Sequence, residues 1–97
     1  MRQVIFKPMA VKAMVQLCDY IESKNTIGAG YRFQQKLLYF IELNAGISSI
    51  NYPVCNNPKL AHRKFSCLIF QRKWVIAFSY SDTTFIIQRI ILGAKLK

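Results

Sequence analysis

The residues of this chain best suited to chemistry are cations gathered in its C-terminal half: Arg63-Lys64, Arg72-Lys73, Arg89 and Lys95. A guanidinium is a rigid fork of donors and an ammonium a compact point charge, so this set binds phosphate or carboxylate groups. Arg89 is the sharpest of them. Inside the apolar run FIIQRIIL its charge must be paired, held on an open face or bound to something acidic. An ion pair with Glu42 or Asp19 is the structural alternative. The one histidine, His62, belongs to the residue type that shuttles protons near neutral pH, but a packing role is the competing reading. Cys67, within an apolar run and with no nearby His or Asp to complete a catalytic arrangement, reads as a small buried hydrophobe. Gly28, Gly30, Gly46 and Gly93 lack the spacing of a phosphate-cradling loop. The sequence therefore suggests neither a metal nor a cofactor.

The 97 residues carry 14 basic and 4 acidic side chains, a net charge of +10, with 53% hydrophobic and 13% aromatic residues. That content excludes disorder driven by charge repulsion and fits one small α+β domain spanning residues 1–97. Positions 1–42 hold a net +3 and positions 43–97 a net +7, so an anionic partner is expected on the second half. Cys18, Cys55 and Cys67 are odd in number and contain no C-x-x-C pair, which points to reduced thiols in a cytoplasm. No secretion signal or membrane-spanning run is read from the chain.

The elements that must position these cations follow from periodicity. Gln3–Phe6 is a short β-prone run, and Pro8 suits the first turn of a helix over residues 8–23 with Ala10, Met14, Leu17, Cys18 and Ile21 on one face. A second helix is expected over 29–44, with Thr26 as a possible N-cap and Gly46 closing it in a left-handed conformation. The stretch 47–58 has a loop composition. Beyond it 64–70, 74–80 and 84–92 form a three-stranded antiparallel meander joined at Gln71-Arg72-Lys73 and Ser81-Asp82-Thr83. The expected fold is α+β, in the order β-α-α-β-β-β, with a helical hairpin on one face of an antiparallel sheet. Strand 84–92 is expected inside that sheet, and Trp74, Phe78 and Phe85 in the core, with Tyr80 left outside it.

Three segments resemble the RelE/ParE superfamily of toxins from bacterial type II toxin-antitoxin modules. They are VIFKPMAVKAMVQLCDYI, GAGYRFQQKLLYFIELN and HRKFSCLIFQRKWVIAFSYSDTTFIIQRIILGAK, the last similar to ParE-like endings. The resemblance implies a cytoplasmic growth inhibitor, of the kind that stabilises plasmids, held in a hetero-oligomer by a cognate antitoxin. ParE-like members bind DNA gyrase, whereas RelE-like members are endoribonucleases that cut mRNA on the translating ribosome. On this chain the arginine that such nucleases carry after the aromatic opening the third strand is Val75, and a histidine before Gly93 is replaced by Leu92. These departures favour the ParE-like branch, without chemistry and without cofactor, in which Arg63, Lys64, Arg89 and Lys95 contact the target. The same four residues would surround the scissile phosphate of a metal-independent ribonuclease. An inactive member, or a basic nucleic-acid-binding module, is the third reading.

Overall fold

A computed structural model describes residues 2–46, 52 and 54–92. Strand β1 (Gln3–Phe6) ends where Pro8, with no N–H to leave unpaired, opens helix α1 (Pro8–Lys24). Helix α2 (Ala29–Ala45) follows, then a short helix α3 (Pro58–His62) and strands β2 (Ser66–Phe70), β3 (Trp74–Tyr80) and β4 (Thr84–Leu92). Helices precede a meander as expected. The turn α3, within a region read as loop up to residue 58 and left unassigned to 63, is additional. The meander opens at Ser66 rather than residue 64.

The four strands form one sheet in the order β1-β4-β3-β2. Strands β2, β3 and β4 pair antiparallel, but β1 runs parallel to β4, with Gln3 opposite Thr84 and Phe6 opposite Ile87. The sheet is therefore mixed rather than antiparallel. The crossover permits this parallel pairing: both long helices, α3, β2 and β3 separate β1 from β4, and a connection of that length returns a strand in either direction. Strand β4 lies inside the sheet, as its nearly continuous apolar run requires.

Both long helices cover one face. There Phe33 packs edge-on to Phe70 and Trp74, while Phe78 stacks on Phe85 at 4.3 Å. Leu37, Ile41, Ile76, Phe78, Phe85 and Ile87 are fully buried, each contributing about 1.5–3 kcal/mol of burial free energy. Tyr80 also joins this core, correcting its placement outside it: its hydroxyl donates to the Tyr52 carbonyl, and Arg2 lies 5.1 Å over its ring.

The helix pair is closed by a carboxylate. Thr26 does not cap α2; the N-cap is Gly28 at φ 88°, and Glu22 of α1 accepts the Gly28 and Gly30 amides at 2.7 and 2.8 Å. Those two bonds, with the Arg32 guanidinium nearby, hold the Glu22 carboxyl below the usual carboxylate range. Gly46 ends α2 at φ −72°, right-handed rather than left-handed. The helices approach most tightly at Gly30, where a Cβ would stand 2.5 Å from the Cys18 carbonyl oxygen. A Gly30→Ala protein must push backbone from backbone, so its denaturant midpoint should fall by an amount equivalent to about 1–3 kcal/mol; an unchanged midpoint contradicts this packing.

Candidate functional site

The candidate site is the sheet face turned away from α1 and α2, and a single extra residue in β4 creates it. Ala77 of β3 is opposite Arg89, yet the next residue, Phe78, is opposite Ile87, so Gln88 is unmatched. This bulge reverses the alternation of β4. Phe85 and Ile87 point to the helices before it, and Ile90 and Leu92 do so after it, leaving Arg89 and Ile91 on the other face. Gln88 donates through its amide to the Ser79 hydroxyl at 3.0 Å, beside Arg89. The Arg89 guanidinium donates to the Gln88 carbonyl at 3.0 Å and has no carboxylate partner among the described residues. An ion pair with Glu42 or Asp19 is thus not formed.

Part of this face is covered by the segment 54–65. Cys55, Leu60 and Phe65 pack on Ala77, Cys67, Val75 and Ile91 in a second, smaller core. Asn57 caps α3 by accepting the Lys59 and Leu60 amides. The helix ends in a Schellman closure: Phe65 N–H donates to the Leu60 carbonyl and Lys64 N–H to that of Ala61, with Leu60 and Phe65 in the same apolar cluster. The position that glycine ordinarily takes is Lys64, at φ 61°. Arg63 and Lys64 therefore do not open β2; they lie exposed on this cover, at its junction with the strand. His62 is exposed at the end of α3 rather than packed in the core.

The cover is pinned by a disulfide between Cys55 and Cys67, whose Cα atoms are 5.0 Å apart. This overturns the expectation of reduced thiols and of Cys67 as a simple apolar filler. Val54 bridges antiparallel to Ser66, and the Cys55 amide donates to the Phe65 carbonyl, so two chain segments distant in composition run side by side and their cysteines meet. Across the sheet Cys67, Ala77 and Arg89 form one row, placing the disulfide two strands from Arg89. Cys18 remains a free thiol, pushed up in pKa by burial and by Asp19.

The structure thus brings Arg63, Lys64 and Arg89 to one side of the sheet, while Lys95 lies outside the described residues. Val75 occupies that side too, beneath the cover. Among the described residues no group of three His, Cys, Asp or Glu side chains is placed to hold a metal, and no helix is long and apolar enough to cross a membrane. Arranged this way, the cations can bind an anion; among the described residues no acid or base hydrogen-bonds to Arg89. The bulge and the cover went unread in the sequence, where only the adjacent polar pair Gln88-Arg89 interrupting FIIQRIIL hinted at the first. No protein-family model matches the chain, and no curated protein shows significant sequence similarity to it.

Three measurements test this site. Reducing the disulfide frees the ends of a loop of about 12 residues, and the oxidised protein should lose about 3 kcal/mol of unfolding free energy on reduction. Thiol counting should give one reactive sulfhydryl before reduction and three after. A Lys64→Gly protein should gain about 1 kcal/mol by relieving the left-handed lysine, read as a rise in melting temperature; a fall would mean that the Lys64 side chain holds the cover down.

Proposed function

We propose that this protein is a growth-inhibiting toxin of the RelE/ParE type, acting through target binding rather than bond cleavage. Its target on this reading is DNA gyrase, and a cognate antitoxin neutralises it. The observation that carries the proposal is the presentation of Arg89 by the β4 bulge: a half-buried guanidinium without a carboxylate partner among the described residues, on the same side of the sheet as the cover that carries Arg63 and Lys64, in a sheet of order β1-β4-β3-β2 backed by a helical hairpin. An unpaired cation held at that depth is suited to an acidic group supplied by another molecule.

The partner reading is supported by a second feature. Strand β1 accompanies β4 only as far as Ile87, so among the described residues no strand borders the C-terminal half of β4 on that edge. A groove of 510 Å³ runs beside it, lined by Ala13, Leu17 and Tyr20 of α1 with Trp74, Ile90 and Leu92. An open strand edge next to an apolar groove accommodates an extended segment of an acidic antitoxin on a protein of charge +10.

Controlled expression in bacteria, followed by growth and by a DNA-damage reporter, tests the proposal. Arrest with a rising reporter is expected, and an Arg63→Gln/Arg89→Gln protein should bind its target about 100-fold more weakly or worse, abolishing arrest while staying folded. Arrest with a flat reporter and codon-positioned mRNA cuts would transfer the same residues to a ribosome-dependent endoribonuclease. A folded, soluble chain that leaves growth untouched would leave an inactive member or a basic nucleic-acid-binding module.

A further inference from the structure

A second cluster of cations lies away from Arg63, Lys64 and Arg89. The end of α1, the start of α2 and the β2–β3 turn enclose a cleft of two lobes, about 250 and 340 Å³, which share Ile21, Asn25, Phe33 and Gln71. Arg32 and Lys36 border one lobe, Lys24 and Lys73 the other, and no carboxylate lines either. Glu22, in the last turns of α1, is engaged through both oxygens by the Gly28 and Gly30 amides. Arg32 is steadied by the Thr26 hydroxyl at 3.0 Å, which fixes its guanidinium at the rim. Four like charges around one depression repel one another unless an anion enters.

One further observation points to a ligand rather than a solvated rim. Trp74, 9% exposed, lines the second lobe, and its indole N–H is the one buried side-chain polar atom among the described residues with no hydrogen-bond partner. Such a donor is costly to leave unpaired, and its persistence calls for an explanation. The turn that brings Gln71 to the cleft is a tight hairpin, with Gln71 and Arg72 at φ 52° and 63°. Tyr20, 57% exposed, adds an aromatic face to the same lobe, with the Lys24 ammonium 5.9 Å from its ring centre.

We infer that this cleft binds a nucleoside phosphate, free or as one unit of a single strand, with Arg32, Lys36 and Lys73 on the phosphate, the exposed Tyr20 ring on the base and the edge of Trp74 at the floor of the lobe. Cations supply the charge-assisted bonds, and an aromatic ring accepts any base by stacking. Its cations are separate from those of the toxin reading, since none of Arg63, Lys64 and Arg89 lines either lobe, whereas Tyr20 and Trp74 also line the groove beside β4.

Trp74 is the only tryptophan, and the Lys73 ammonium lies 5.6 Å from its ring centre, so indole fluorescence reports the cleft directly. The full chain is titrated with adenosine monophosphate, adenosine, inorganic phosphate and a short single-stranded oligonucleotide. Saturable quenching by the monophosphate or the oligonucleotide is expected, with adenosine and phosphate each markedly weaker. Tighter binding of the oligonucleotide identifies a strand as the source, and equal or weaker binding identifies a free nucleotide. Arg32→Gln/Lys36→Gln should weaken the effect about 100-fold, while Arg63→Gln/Arg89→Gln should leave it unchanged. Lys36→Gln alone, which removes an exposed side chain, serves if the double variant fails to fold and should cost about tenfold. Absence of saturable quenching, adenosine binding as tightly as its monophosphate, or full affinity in the Lys36→Gln protein would each overturn the site.

Discussion

The unmatched residue at Gln88 is the constraint on which the two faces of this protein depend. Without it, β4 would keep one alternation throughout, and Ile90 and Leu92 would leave the helix-side core for the open face. Arg89 would then face inward among apolar side chains with no carboxylate to receive it. One inserted residue thus fills the main core at both ends of the strand and turns a guanidinium outward. The hydrogen bond from Gln88 to Ser79 fixes the bulge on the same face as the charge it presents.

The open face is finished by a piece of chain too small to fold by itself. The cover rests on a few apolar contacts, an asparagine cap, a Schellman closure and one covalent link, each reinforcing the next. Leu60 and Phe65 meet because the closure folds the chain back by one turn, and that return sets Cys55 beside Cys67. On the opposite side the hairpin of α1 and α2 depends on a carboxylate spanning two glycine amides, which lets the backbones approach at Gly30 where a side chain has no room.

Much of the architecture was legible because its signals are local. Apolar spacing marked α1 and α2 within a residue of their ends, Pro8 marked a helix start, and alternation between polar triplets delimited β3 and β4 at their ends. What escaped depends on partners far along the chain or on residues in unaccustomed roles. The direction of β1 is left open by its long crossover and is set only by its pairing with β4. Glu22 caps α2 from the preceding helix, so Thr26, the nearer hydroxyl, misled. The end of α3 was hidden because lysine stands where glycine normally announces a closure, and the Cys55–Cys67 spacing matches no motif. Among the candidate cations, the significance of Arg89 could be read from its apolar neighbours. The grouping of Arg32 and Lys36 with Lys24 and Lys73 could not, because it arises only when the β2–β3 turn meets the helical loop.

The pairing of Gln3–Phe6 with residues 84–87 has a kinetic consequence. The helical hairpin and the β2–β3–β4 meander are each assembled from neighbours in sequence, whereas joining β1 closes a loop that encloses nearly every other element. Contacts that span so much chain are expected late, after the meander has supplied a template. The edge strand is only four residues long, so in the order of assembly it is a final latch, and in reverse the first element to come away. A population with β1 released would expose the whole flank of β4 while the rest of the sheet stayed intact.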